Sequence, residues 1–354
     1  MEHKRFLAEW EPQDGVLLAW PHAQSDWAYM LEEVQDCFFG IVTTLLRYES
    51  VLLLVPDEAT AGGLEKRVLK AVGQEAARHL FQLVVPTNDT WARDFGPLAL
   101  EENGQKAFLD FKFNGWGLKF AADKDNLINR TLFDKGVFDK ATSYYNLLNF
   151  VLEGGALESD GEGTLLTTSE CLLSPNRNGQ WNRNEIEVFL KEVLGLKRVL
   201  WVNHGFLAGD DTDSHIDTLA RFCSRDTIAY VKCEDEGDVH FEALQAMEKE
   251  LRSFRTPEGE PYRLLPLPMA REVVVDGERL PATYANFLIV NGAVLVPTYR
   301  SERDGQALEQ LAQAFPGREV LGVDCLPLIK QHGSLHCVTM QLPRGYMHPD
   351  LRRD

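Results

Sequence analysis

The sequence predicts an α/β protein built from five ββαβ units that close around an axis. Three observations carry this. The order strand, turn, strand, helix, strand recurs along the chain. No linker or low-complexity segment divides it. Polar clusters rich in chemistry fall at the same place in successive units. The 354 residues are 44% hydrophobic and 25% charged, enough for a substantial core, and residues 1–354 are taken as one domain.

The clearest unit opens with GALESDGEGTLLTT (155–168), two short runs flanking a Gly turn. It continues with NEIEVFLKEVLG (184–195), apolar at helical spacing with a Gly stop, and ends with the strand KRVLWV (197–202). The next has the hairpin TLARFCSRDTIAYVKC (218–233), the helix HFEALQAMEKELRSF (240–254) and the strand YRLLPLP (262–268). A third has YANFLIVNGAVLVPTY (284–299) with Asn-Gly at its turn, then DGQALEQLAQAF (304–315) and REVLGV (318–323). GPLALEENGQKAFLDFKF (96–113) opens a fourth, whose helix near 126–133 is weaker. The fifth is split: HCVTMQLP (336–343) pairs with GVLLAWP (15–21), and a helix around 27–47 and VLLLVP (51–56) complete it. A helix over 58–72 and the strand LFQLVVP (80–86) are an addition.

Net charge is −18 and the isoelectric point is near 5.0, which argues against nucleic acid as a partner. The opening MEHKRFLAEWEPQDG has no apolar signal core, and no run of about 18 apolar residues exists to cross a membrane. The six cysteines form no CxxC pair and read as reduced thiols of a cytoplasmic protein, most of them buried packing.

The polar clusters are NDTWARDFGP (88–97), EGG (153–155), TDSHID (212–217) and GSLHC (333–337), four loops expected to converge on one axial pocket. Asp210, Asp211, Asp213 and Asp217 crowd around His215. Such a cluster could hold a metal, run acid/base chemistry, grip an organic cation or be a solvated turn. No HExxH, Cys/His quartet or DxDxDG loop supports a metal. If HIDTLARF (215–222) is extended, His215 and Asp217 share one face about 6–7 Å apart, a gap suited to a small planar ligand. Asp210, Asp211 and Asp213 also suit plain turn duties. Cys337, with His336 and Val338 alternating about it, is either packing or a nucleophile served by His215. Asp94 could pair with its neighbour Arg93, or accept two N–H donors from a guanidinium. Glu153 could be a turn carboxylate or the partner that orients His215. Trp91 and Trp116 could be core, or stack on a flat cation.

Cys337, His215, Asp94, Asp217 and Glu153, set in these motifs, resemble the guanidino-group-modifying enzymes. Within them the chain is similar to the agmatine deiminases and the related bacterial peptidylarginine-deiminase-type proteins. The likeness runs through Trp20–Pro21, NDTWARDFGP, FNGWG, LEGGAL, CLLSPNRN, DDTDSHID, YANFLIVNG and HCVTMQLP in that order. The resemblance implies a five-bladed α/β propeller, the pentein fold, and the hydrolysis of agmatine to N-carbamoylputrescine and ammonia. It makes Cys337 the nucleophile, His215 the proton shuttle, Asp94 and Asp217 the guanidinium clamp and Glu153 the support of His215. Asp211, Asp213, Trp91 and Trp116 become candidates for the rest of the substrate. No cofactor or metal is implied; the partner is a small cationic guanidine, with room for a homo-oligomer. The chain departs from plant-like members at Thr212-Asp213-Ser214-His215, where they have Thr-Asn-Gly-His, and at Gly333-Ser334-Leu335, where they have a glycine run. Arginine, peptidyl arginine or a methylated guanidine is the alternative substrate. A non-catalytic polyamine binder is a rival of another class. A Cys-His amidase is disfavoured, because an oxyanion hole needs donors rather than paired acids.

Overall fold

The computed structural model describes residues 4–352. Among them the strands form five separate sheets of three or four strands and one two-stranded ribbon. Each of the five sheets contains an antiparallel pair, then a strand parallel to the second member of that pair.

Local chemistry explains the clearest unit. Strands Glu158–Ser159 and Thr164–Thr168 pair antiparallel, and Arg198–Val202 runs parallel to the latter. The helix between them, Arg183–Leu194, starts at a capping box. The Asn182 side chain accepts from the backbone N–H of Asn184 and Glu185, while Glu185 accepts from the Asn182 N–H at 2.8 Å. It ends at Gly195, whose φ of 70° is the left-handed stop that a Cβ would penalise. Ile186, Leu190 and Leu194 form its buried stripe.

The units at Ala220–Ser224, Thr227–Lys232, Phe241–Ser253 and Arg263–Pro268, and at Leu288–Val290, Ala293–Thr298, Asp304–Ala314 and Glu319–Asp324, follow the expected order. The split unit also forms: Met340–Pro343 pairs antiparallel with Gln13–Ala19, and Ser50–Val55 lies parallel to the latter. Ser50–Val55 is buried along its whole length between two parallel neighbours, which is why its sequence is continuously apolar rather than alternating.

Four details differ from expectation. Lys4–Phe6 adds a strand antiparallel to Leu98–Glu102. The helix expected over 58–72 extends as Glu58–Ala77, broken at Gly73, whose φ is 78°. Residues 215–222 are not one extended run: Ile216–Thr218 is a tight helical turn and the strand begins at Ala220. Thr218 causes this locally, since its N–H and its hydroxyl both donate to the His215 carbonyl. Cys337 likewise precedes its strand, Met340–Pro343, rather than alternating within it.

Candidate active site

Each expected side chain sits on a short turn between elements. Asp94 lies in the helical turn Ala92–Phe95, and Glu153 just before the turn Gly154–Ala156. His215 precedes the turn Ile216–Thr218, which holds Asp217. The turns are fixed by backbone bonds, among them the Arg93 N–H to the Cys337 carbonyl at 3.1 Å. All five are buried, His215, Asp217 and Glu153 completely. Gly155 shows how closely they meet. A Cβ there would lie 2.6 Å from His215 Nδ1, 2.8 Å from Asp94 Oδ1 and 3.2 Å from Asp217 Oδ2.

Asp94 accepts from Trp116 Nε1 at 2.9 Å and from the Gly155 N–H at 3.0 Å. It does not pair with Arg93, whose guanidinium turns away to Gln341 Oε1 at 2.6 Å and towards Glu9. Asp217 Oδ2 takes a hydrogen bond from His336 Nδ1 at 2.7 Å, while Oδ1 has no hydrogen-bond partner among the described residues. Cys337 Sγ lies 3.9 Å from Asp217 Oδ2 and 3.3 Å from Asn286 Nδ2. His215 sits between carboxylates, Nδ1 at 3.6 Å from Asp94 and Nε2 at 3.9 Å from Glu153, with neither nitrogen hydrogen-bonded among the described residues.

The electrostatics follow from burial and from this crowding of acids. Burial, with Asp217 nearby, pushes the Asp94 carboxyl up to about 6, against the opposing pull of His215 and Trp116. Burial, then Asp217 and Asp94, hold the Cys337 thiol well above its usual range, so it rests neutral. Burial works against a charged His215, yet Asp94 foremost, with Cys171 and Glu153 beside it, raises the imidazole well above its usual range. Asp217 and Glu153 both overcome burial and are held low, by His336 and Arg177 respectively. The resting site is therefore a thiol beside an imidazolium, faced by two carboxylates.

Trp91, Trp116, Phe120, Asp211, Asp94 and Cys337 line a cleft leading to this cluster, with Asp26 and Asp89 also in its wall. Trp91 and Trp116 meet edge to face at 6.3 Å. Asp213 does not line the cleft. Its carboxylate bridges Arg177 Nη1 at 2.5 Å and Lys119 Nζ at 2.7 Å, so both of its oxygens are already engaged. Sequence reasoning passed over Asn286, His336, Arg177 and Glu9. Asn286 and Arg177 stood inside quoted motifs (YANF, SPNRN), and His336 adjoins Cys337; Glu9 carried no signal.

Among the described residues two buried sets bring donors together, Glu153 with Cys171 and His215, and Glu9 with Glu158 and His336. In both, an arginine already occupies the carboxylates: Arg177 on Glu153, and Arg221 on Glu9 and Glu158. A metal cation there would face a buried guanidinium. The arrangement instead suits a planar organic cation whose N–H groups meet Asp94 and Asp217 beside a thiol.

The comparisons with known proteins agree in their extent. A solved Porphyromonas gingivalis structure, provisionally named an arginine deiminase, is 55% identical, covering 97% of this chain and 99% of that one, with a TM-score of 0.91. A C. jejuni agmatine deiminase solved with substrate bound is 38% identical over 97% of each chain, with a TM-score of 0.89. A Lactococcus lactis protein provisionally named an agmatine deiminase is 31% identical over 96% of each. The model of the Porphyromonas-type peptidyl-arginine deiminase family matches residues 5–343, and the chain belongs to that family.

Proposed function

We propose that this protein hydrolyses the guanidinium of agmatine, giving N-carbamoylputrescine and ammonia through a covalent adduct on Cys337. One observation carries the substrate choice. The described residues lining the cleft include Asp26, Asp89 and Asp211, and no lysine or arginine side chain. A distal ammonium would find carboxylates there, and an α-carboxylate would find no counter-charge. Lys119, close by, is engaged by Asp213 and the Asp211 carbonyl. The names of the C. jejuni and L. lactis relatives support the same reading.

In this reading Asp94 and Asp217 hold the guanidinium nitrogens over Cys337. A cation about 4 Å from the sulfur contributes about 4 kcal/mol at an effective dielectric of 20, roughly a thousandfold in thiol ionisation. Substrate binding thus lowers the thiol's pKa, its proton passes to solvent, and the thiolate that burial otherwise resists is left beside the guanidinium. The sulfur attacks the guanidinium carbon and the S–C bond forms. The imidazolium of His215, held by Glu153, gives its proton to the departing nitrogen; the C–N bond breaks and ammonia leaves. His215, now neutral, takes a proton from water, which attacks the remaining amidino-thioether. Collapse breaks the C–S bond, the adduct's hydroxyl proton passes to the departing sulfur to restore the thiol, and the urea product leaves with His215 again an imidazolium. Orientation by the two carboxylates supplies several kcal/mol, and proton transfer and the covalent route the rest.

The five sheets are read as five blades of a propeller in one domain spanning 1–354, supported by their shared strand order and by the meeting of their loops at the cluster. Six free thiols support a reducing compartment such as the cytoplasm. Among the described residues no helix is long and apolar enough to cross a membrane.

A second reading keeps the chemistry and changes the substrate to arginine. The name of the 55% identical P. gingivalis structure favours it. The deciding experiment measures ureido product from agmatine, free arginine and a peptide ending in arginine, side by side. Turnover of agmatine far above the others is expected. Turnover of arginine or the peptide instead overturns the substrate, and turnover of none overturns the activity.

A further inference from the structure

We propose that Arg177 is a positioning residue that sets the distance between Glu153 and His215 and ties that pair to the loop of Trp116. This deepens the reading above and rests on it for the role of His215. Among the described residues neither ring nitrogen of His215 has a well-formed hydrogen bond, so its backbone and the flanking groups must hold the imidazole. That backbone is demanding: Asp213 and Ser214, directly before it, both take left-handed φ, 64° and 61°.

Arg177 holds this strained loop and Glu153 at once. Nε lies 2.9 Å from both Glu153 oxygens, Nη2 donates to the Thr212 carbonyl at 2.8 Å, and Nη1 to Asp213 Oδ2 at 2.5 Å. Thr212 Oγ1 in turn accepts from the His215 N–H at 3.0 Å. The guanidinium is fully buried. Its own turn, Pro175–Asn178, is fastened on both sides. Asn178 bonds the N–H and carbonyl of Val151, two residues before Glu153, at 3.0 and 2.8 Å. Asn114, at the start of the Trp116 loop, donates to the Asn176 carbonyl at 2.9 Å. Lys119 closes the circuit, bonding Asp213 from the far end of that loop. One planar fork thus fixes two groups that approach from different turns, which a lysine cannot do.

The test compares wild type, Arg177→Lys, Arg177→Met and Asp213→Asn on the guanidine that wild type turns over best. Misplacement of a catalytic group by about 1 Å costs about 100-fold, so Arg177→Met is expected to lose about that much kcat, with KM moving less than about threefold. Arg177→Lys recovers part of the loss, and Asp213→Asn, which cuts one arm and folds readily, loses less. Iodoacetamide alkylation of Cys337 stays at the wild-type rate, because Asp94, Asp217 and Asn286 are untouched. A loss confined to KM, or alkylation falling in step with kcat, overturns the proposal. So does full kcat in Asp213→Asn and Arg177→Lys together. If wild type turns over no guanidine, the activity fails, and the Arg177 role is read without turnover. Ring-labelled histidine NMR, with His215→Asn to assign the resonance, is then expected to show the His215 signals displaced in Asp213→Asn and Arg177→Lys. Unmoved signals overturn it.

Discussion

Two groups of buried charges lie back to back, and the one behind the site is the more completely paired. Behind the site, Glu9 accepts from Arg221 at 2.8 Å, His336 Nε2 at 2.6 Å and the Ile289 N–H at 2.7 Å. Glu158 accepts from Arg221 and from the Phe222 N–H. Burial opposes ionisation of Glu9, yet His336 and Arg221 hold it well below the usual carboxylate range. In front, Asp94 and the Cys337 thiol are both pushed up, and among the described residues Asp217 Oδ1 and both His215 nitrogens have no hydrogen-bond partner. Asp217 belongs to both groups, one oxygen bonded to His336 and the other bare. Where the chain completes its own charge pairs, the residues hold the fold. Where it leaves acids in excess, the proposed guanidinium would complete them.

The largest effect belongs to the front group. Cys337→Ala is expected to lower turnover by about 10⁴-fold or more, as removal of a nucleophile does, while calorimetry still detects substrate binding. Substantial residual turnover removes Cys337 from the chemistry. Arg221→Met should act in the opposite way. It leaves Glu9 and Glu158 buried without their main counter-charge and costs about 3–5 kcal/mol of stability, read by urea unfolding. A small stability loss would mean that the rear group is not a structural ion network. Asp217→Asn spans the two: it is expected to lower kcat/KM by about 2–5 kcal/mol in equivalent free energy, since the guanidinium loses one desolvated charge partner. An unchanged kcat/KM would take Asp217 out of the clamp.

Much of the scaffold was legible because its signals are local. The box from Asn182 to Glu185 and the stop at Gly195 fix a helix without reference to anything distant. Asn103-Gly104 joins paired strands with both residues at positive φ, the geometry a tight hairpin needs. What was not legible depends on partners far along the chain. The strand Lys4–Phe6 forms only because Leu98–Glu102 offers an edge. Asp213 looked as available as Asp211 in sequence, and Arg177 and Lys119, 36 and 94 residues away, decide between them. Glu9 is an unremarkable glutamate until His336, 327 residues later, is placed against it. The turn at Ile216–Thr218 shows the remaining failure, where a hydroxyl bonding its own backbone overrode an alternating pattern.

Asp94 offers the finest test of the comparison, because its stability and its activity should move in opposite directions. Its folded value of about 6 exceeds the unfolded value of about 3.9 by roughly two units, so an ionised Asp94 costs the fold about 3 kcal/mol. As pH rises from about 4 to 6, the unfolded chain releases this proton while the folded chain keeps it, and stability is lost across that window. Above about 6 the deficit is constant. Asn cannot ionise. It keeps an acceptor for the Gly155 N–H but leaves the buried Trp116 N–H without one, which costs about 1–3 kcal/mol. Asp94→Asn is therefore expected to gain up to about 2 kcal/mol over wild type at pH 8 and to become the less stable of the two by about pH 4, while its turnover collapses. Wild-type kcat/KM should fall on the acid side near pH 6, where the jaw loses its charge. A variant less stable than wild type at every pH would place Asp94 with the balanced group behind the site. Its raised carboxyl would then be a matter of packing, and the excess of acid in front would no longer explain why this site waits for a cation.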